Sequence, residues 1–290
     1  MSAQRSMYRD GEVLDVAELT HIANRIRQLS VEAVYEAKAG HLGGPLSVAE
    51  ILAVIYFGVA KVDPQRPSAS TRDRVVLSKG HSAVALYAAL ALRGYFPVDE
   101  LLTFDSVGSR LQGHPDMTAL PGLDMSTGSL GQGLSVGAGM ALSCRFTGED
   151  HRVFVVVGDG ECQEGQVWEA AHFAAEHGLS NLCAVVDANG LSQWGRQQPP
   201  HEPVPHLAER WQAFGWDVVT GDGHDVNFLV DALRNAGSSG DRPTCVIART
   251  VKGKGVERFE GDFEWHSKVP TPDEFSEVMT ELKDREATRA

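Results

Sequence analysis

Asp159 and Asn189 are the residues whose types and spacing say most about chemistry. Asp159 lies between Gly158 and Gly160, and Asn189 follows the next apolar run. A magnesium ion takes about six oxygens and usually draws only one or two from the protein, with phosphate and water completing the shell. The Asp159 carboxylate, the Asn189 amide oxygen and a backbone carbonyl such as that of Leu191 could serve a cation that bridges a diphosphate. A neutral amide in place of a second acid suits such a cation, because each further protein anion would repel the phosphates. Gly158 and Gly160 have no Cβ, so a ligand can approach the backbone closely. Gly-Asp-Gly after a strand is often no more than a turn. Asn189 at the next strand exit favours the functional reading.

The elements that must position these residues are legible around them. Val153-Phe154-Val155-Val156-Val157 is apolar at every position, as expected of a strand covered on both faces in a parallel sheet. Leu182-Cys183-Ala184-Val185-Val186 is a second such strand, with Asp187-Ala188-Asn189-Gly190-Leu191 as its exit. Between them a helix begins near Glu164, with Val167, Ala171, Ala174 and Ala175 on one stripe. Two adjacent strand ends then point to one place, at the sheet edge where ligands of α/β proteins collect.

The rest of the chain repeats this alternation. Ile22, Ile26, Leu29 and Ala33 predict a helix from about Asp15 to Lys38 that stops at Gly40. Further helices are expected over Ser47 to Phe57, Ser82 to Arg93, Leu130 to Cys144 and near Val226 to Ala236. Short strands are expected at Val75 to Leu77, Asp217 to Val219 and Thr244 to Ala248. Gly131, Gly133, Gly137, Ala138 and Gly139 cost helix propensity, which predicts close packing of that helix on a neighbour. A polar, proline-bearing loop is expected from Asn189 through Pro205, followed by a helix. Thr271-Pro272-Asp273-Glu274 has the capping-box pattern, and Phe275, Val278, Met279 and Leu282 give a terminal helix around 272–284 an apolar stripe. The fold class is α/β, a doubly wound parallel sheet with helices on both faces. With no internal repeat or evident boundary, 1–290 reads as a single domain.

Composition sets limits. A chain of 290 residues can bury a sizeable core. The formal charge of −13, without a basic stripe, argues against nucleic acid as a partner. An anionic ligand in so acidic a protein needs a local cation, which again favours a bound metal. Cys144, Cys162, Cys183 and Cys245 form no CxxC pair and suggest neither a zinc site nor a disulfide framework. They read as reduced thiols of a cytoplasmic protein. Met1 to Asp10 carries no secretory signal, and no run reaches the ~18 apolar residues of a membrane span.

Four of the eleven histidines stand out by their loops. His41 lies between Gly40 and Gly43-Gly44-Pro45, His81 follows Lys79-Gly80, His114 sits between Gly113 and Pro115, and His266 lies in Trp265-His266-Ser267-Lys268. Glycine- and proline-rich loops on a rigid scaffold commonly carry function. His21, His151, His172, His177, His201, His206 and His224 have no such setting and read as structural or exposed.

The ordered set Gly40-His41-Leu42-Gly43-Gly44, Leu77-Ser78-Lys79-Gly80-His81, Gly113-His114-Pro115, Thr127-Gly128-Ser129-Leu130-Gly131-Gln132-Gly133, Gly158-Asp159-Gly160, Asn189 and His266 resembles the amino-terminal half of transketolase. The Gly-Asp-Gly to Asn element is shared by thiamine-diphosphate enzymes generally, whereas the histidine set is more specific. The resemblance implies thiamine diphosphate as cofactor, with Mg2+ or Ca2+ held by Asp159, Asn189 and the carbonyl of Leu191. It implies that Gly160, Asn189, His81 and His266 contact the diphosphate, and that Gly128, Ser129 and Leu130 line the pocket beside the cofactor rings. It further implies that His41, His114 and His266 face the sugar, hydrogen-bonding hydroxyls and moving protons, work that imidazole suits near neutral pH. Glu164 falls in the acidic cluster that the family places near its subunit contact. Leu42 and Ser129 stand where many transketolases have proline, changes that bear on loop stiffness more than on chemistry.

In the family, the glutamate that activates the aminopyrimidine belongs to a second, pyrimidine-binding domain, as do the groups that bind the sugar phosphate. No such domain is read in 1–290. The expectation is therefore one subunit of a split transketolase that transfers a two-carbon ketol group between sugars or sugar phosphates. It would work with a carboxyl-terminal subunit, in a heterotetramer of two copies of each. A 2-oxoacid dehydrogenase or decarboxylase subunit is the alternative, disfavoured by His81, His114 and His266. A nicotinamide site at Gly131-Gln132-Gly133 lacks the GxGxxG spacing and a preceding strand. A non-catalytic binding subunit is a third reading.

Overall fold

The computed structural model describes residues 14–193, 206–238 and 240–287. The expectations placed on Met1 to Asp10, on His201 and on most of the loop ending at Pro205 lie outside them. Five strands, β1 (Arg74–Leu77), β2 (Val153–Gly158), β3 (Leu182–Ala188), β4 (Asp217–Asp222) and β5 (Thr244–Arg249), form one sheet in the order β1-β2-β3-β5-β4. Every pairing is parallel.

Strand residues alternate between two cores. Val75, Phe154, Val156, Val185 and Val246 belong to one, and Val76, Val155, Val157, Val186 and Ile247 to the other. The first face carries α1 (Val16–Ala37), α2 (Gly43–Ser47), α3 (Ala49–Val54), α4 (Ala83–Arg93), α8 (Val226–Arg234) and α9 (Pro272–Ala287). The second carries α5 (Gln132–Thr147), α6 (Gly165–Glu176) and α7 (Leu207–Ala213). Burial on both faces explains why the strands read as unbroken apolar runs. α4 is buried all round, as its Ala- and Leu-rich sequence predicts.

Caps set the helix ends. Asp15 accepts from the Glu18 amide and Glu18 accepts from the Asp15 amide, a capping box at the start of α1. Thr271 and Glu274 make the same exchange ahead of α9, and Val278, Met279 and Leu282 are buried by docking on α1. Phe275 stacks on Tyr35 with ring centroids 3.9 Å apart.

Several boundaries differ from those read in the sequence. α1 ends at Ala37 with Lys38 as a left-handed cap, ahead of the stop at Gly40 read in the sequence. The helix expected over Ser47 to Phe57 begins instead at Gly43, breaks at Val48, and finishes in a π-helical turn over Ile55–Val59. Pro45 sits in the first turn of α2, where a missing N–H costs no helical bond. α5 starts at Gln132 after a left-handed Gly131. β3 runs through Ala188, so Asp187 is a strand residue and not part of the exit. The Asp217 to Val219 strand extends to Asp222.

The registers Leu77↔Val156, Gly158↔Asp187 and Ala188↔Arg249 bring the carboxyl ends of β1, β2, β3 and β5 level. Among the described residues no helix is long and apolar enough to cross a membrane. All four cysteines are buried and free.

Candidate functional site

A cavity of about 380 Å³ opens at this carboxyl edge, lined among others by His41, His81, Gly128, Asp159, Asn189 and His266. Lys79, Asp159, Asn189 and Lys252 follow strand ends, whereas His41, Gly44, His114 and Gly128 come from segments between or within helices, so strand register and helix packing together gather residues far apart in sequence.

Asp159 is buried just beyond β2. Its Oδ1 accepts from the Gly160 amide at 2.8 Å and its Oδ2 from the Gly190 amide at 2.6 Å. Burial, and then the neighbouring Asp187 carboxylate, push its pKa up to about 7 despite those donors. A carboxyl group in that setting is matched by a cation. Asn189 donates from Nδ2 to Asp187 Oδ2 at 3.2 Å, so its Oδ1 faces away from that carboxylate. Oδ1 also accepts from the Leu191 amide at 3.1 Å. Leu191 lines the same cavity. Among the described residues no three His, Cys, Asp or Glu side chains cluster as metal ligands. One carboxylate, one amide oxygen and one carbonyl form the kind of donor set suited to a hard cation that takes its other oxygens from phosphate and water. The residues present therefore fit a magnesium- or calcium-bridged diphosphate.

The four histidines singled out by their loops converge. The His41 ring centroid lies 5.4 Å from that of His81, 5.1 Å from that of His266 and 6.3 Å from that of His114, and His81 and His266 are 5.0 Å apart. Burial, then Lys79, holds His81 well below the usual imidazole range. Burial, then Lys252, pushes His266 down to about 3. His41 is lowered by burial and by His114, with Asp105 opposing. Neutral imidazoles result, able to donate from one nitrogen and accept at the other. At His266 the tautomer is set, because Lys252 Nζ lies 3.0 Å from Nδ1 and leaves Nε2–H as a donor. Lys252 is itself pushed down to about 8 by burial and by Lys79.

Close backbone approaches shape the cavity wall. A Cβ on Gly80 would lie 2.6 Å from the backbone of Thr127 and Gly128, and one on Gly133 would lie 2.3 Å from Ser78 Oγ. Gly137 packs on Val155 in the same way, whereas Gly139 faces nothing within 4 Å and does not contribute the close packing the sequence suggested for it. Glu161 is buried and forms part of the wall, accepting from Ser78 Oγ (2.5 Å), the Gly131 amide (2.8 Å) and the Gly158 amide (3.1 Å). The hydroxyls of Ser82 and Thr127 are buried without a hydrogen-bond partner among the described residues.

Of the site residues read from the sequence, His41, His81, His114, Gly128, Leu130, Asp159, Gly160, Asn189, Leu191 and His266 all line the cavity. Ser129 is exposed and lies outside the lining set. Glu164 caps α6, is exposed and borders the cavity. His224 and His151 are structural as expected. His224 accepts from the Val251 amide at 2.9 Å while its Nδ1 faces Glu50 at 3.0 Å, and His151 is buried against Cys144. The sequence reading missed Lys79, Asp187, Glu161 and Lys252. Lys79 stood inside a segment already singled out, and Lys252 in Lys252-Gly253-Lys254-Gly255 after β5 carried a glycine-loop signal. The two buried acids carried none.

Comparison with known proteins identifies the family. Residues 19–283 match the family model "Transketolase, thiamine diphosphate binding domain". The chain is 42% identical over 266 residues to a 6-deoxy-6-sulfo-D-fructose transketolase subunit of Clostridium sp., covering 92% of this chain and 96% of that protein. It is 39% identical to an apulose-4-phosphate transketolase subunit of Phocaeicola vulgatus, covering 94% of this chain and 95% of that one. The crystal structure of transketolase from Campylobacter jejuni superposes with a TM-score of 0.85 at 31% identity. That match covers 94% of this chain but 43% of the Campylobacter chain, so the present chain spans less than half of that transketolase.

Proposed function

This chain belongs to the transketolase thiamine diphosphate-binding domain family, and from that premise we propose that it is the diphosphate-binding subunit of a split transketolase. The observation that carries the reading is the convergence of His41, His81, His114 and His266 in the cavity that also holds Asp159 and Asn189. A lone metal-diphosphate site would need no such cluster of imidazoles.

In this reading Asp159, Asn189 and the Leu191 carbonyl hold Mg2+ or Ca2+ against the diphosphate. His81, Gly160, Asn189 and the Nε2–H of His266 bind the diphosphate oxygens, with Lys252 adding charge. Gly128, Ser129 and Leu130 form the segment beside the cofactor rings. Thiamine diphosphate supplies the carbon nucleophile and electron sink for ketol transfer when bound. The chain's own part is to orient and to move protons. His41, His114 and His266 face the sugar hydroxyls; a neutral imidazole with a free acceptor nitrogen can take a hydroxyl proton as one carbon–carbon bond breaks and return it as the next forms, whereas His266, with Nδ1 held by Lys252, serves as a donor only.

The substrates proposed are a ketose donor and an aldose acceptor, each a sugar or sugar phosphate. The relatives named for a sulfonated ketose and for apulose 4-phosphate support an anionic group on the donor. Residues 1–290 are proposed to act as a single domain, with the pyrimidine-binding half supplied by a separate subunit, two copies of each per assembly. Both of those relatives are themselves transketolase subunits of near-equal length, which supports that split. The buried free thiols suit a cytoplasmic setting.

Turnover of pyruvate against xylulose 5-phosphate by the assembled subunits tests the substrate class. Ketol transfer from the sugar with no use of pyruvate is the expected result. Pyruvate-driven decarboxylation without sugar transfer would favour the 2-oxoacid alternative.

A further inference from the structure

Beneath the cavity, Asp187 is fully buried and absent from the residues that line it. Its carboxylate accepts from side chains of four separate segments. Oδ2 takes the Ser47 hydroxyl of α2 at 2.6 Å, the Asn189 amide after β3 at 3.2 Å and the Lys79 ammonium after β1. Oδ1 takes the Thr250 hydroxyl after β5. Oδ2, with two lone pairs and three donors, is saturated from within the fold.

Saturation of this kind has a directional consequence. The Asn189 side chain has one oxygen and one nitrogen, and an ionised carboxylate can only accept. Holding Nδ2 on Asp187 therefore excludes the flipped amide and leaves Oδ1 as the atom turned away from Asp187. The same carboxylate ties down Lys79, whose ammonium also reaches the Gly44 carbonyl at 3.4 Å. An untied ammonium beside the cavity would compete with a divalent cation for phosphate oxygens.

We propose that Asp187 is a positioning residue for the metal–diphosphate site: it selects the Asn189 orientation that offers Oδ1 to the cation, and it keeps the Lys79 charge out of the cation's place. The inference rests on reading Asp159 and Asn189 as the residues that hold the metal. It makes Asp187 a support that acts through Asn189 and touches neither metal nor cofactor. Partners one step behind a metal ligand commonly change metal affinity by about 10–100-fold when removed.

The test uses two double variants of the full chain that share one background. Lys79→Met removes the buried ammonium, so that no change at 187 strands an unpaired charge. Lys79→Met/Asp187→Asn keeps an acceptor oxygen for Asn189, whereas Lys79→Met/Asp187→Leu fills the same space without one. Titration of Mg2+ in the presence of thiamine diphosphate, followed by calorimetry, gives the metal dissociation constant for each, and thermal melting checks that both are folded. The Leu variant should bind Mg2+ about 10–100-fold more weakly than the Asn variant. Equal affinities in the two folded variants would overturn the positioning role. Absence of any metal-dependent cofactor binding by the unmodified chain would overturn the reading of Asp159 and Asn189, and this inference with it.

Discussion

The Gly190 amide donates to Oδ2 of Asp159 at 2.6 Å, joining the loop after β3 directly to the acid after β2. The two strand ends that the sequence placed side by side are thus one hydrogen-bonded unit. Asp159 has its carboxylate aligned by two backbone amides, from Gly160 and Gly190, yet remains buried beside a second carboxylate at Asp187. The backbone orients the acid, and the proposed cation would offset its charge.

That arrangement predicts a pH dependence. With Asp159 raised to about 7 in the metal-free fold, its protonated form is favoured by folding. The contribution is fully present below the unfolded carboxyl range near pH 4 and is lost as pH rises through about 7. Metal-free chain should therefore lose thermal stability between pH 5 and 8, and Asp159→Asn should lose less. Mg2+ binding in the presence of cofactor should release a proton at pH 6, measured by calorimetry in buffers of different ionisation enthalpy.

Lys252 carries the opposite sign. Its pKa is lowered to about 8, so folding opposes its charge at neutral pH, and that penalty is relieved as pH rises from about 8 toward the ordinary lysine value. Cofactor affinity should move the other way, weakening above about pH 8 as the ammonium is lost. Lys252→Met should bind thiamine diphosphate about 10–100-fold more weakly at pH 7, the size of one or two charged hydrogen bonds, and should abolish that pH dependence.

His41, His81, His114, Asp159 and Asn189 could be singled out in the sequence because each sits next to glycine or proline in a loop, whereas His266, between Trp265 and Ser267, has no such neighbour. Lys79 and Asp187 were not legible as a pair. They are 108 residues apart, and only the register of β1, β2 and β3 brings them together. Glu161 sits within two residues of the singled-out Asp159 but has no local sign of its place in the wall. Helix starts failed for a different reason. Gly43-Gly44-Pro45 reads as a breaker, yet it forms the first turn of α2, where glycine permits close packing and proline gives up no bond.

Glycine packing gives a stability test with an internal control. Gly80→Ala would push a methyl into the backbone of Thr127 and Gly128 and should destabilise by about 1–3 kcal/mol, with loss of cofactor binding. Gly139→Ala, in the middle of α5 with open space around it, should stabilise by about 0.4–1 kcal/mol. Chemical denaturation of the two variants beside the parent chain measures both.

His41 and His114 should separate chemistry from cofactor binding. His41→Ala and His114→Ala should lower kcat for ketol transfer by about 10²–10⁴-fold in the assembled enzyme, the usual range for a positioned acid or base. Thiamine diphosphate affinity, measured by calorimetry on the same preparations, should change far less.

In the proposed function this chain supplies the metal and diphosphate side of a transketolase site and a separate subunit supplies the pyrimidine-binding side. The decisive assay is ketol transfer from xylulose 5-phosphate to an aldose phosphate, with thiamine diphosphate and Mg2+, by the purified chain alone and after that subunit is added. The chain alone should give no transfer, and mixing should produce it. Strong transfer by the chain alone would refute the two-subunit reading.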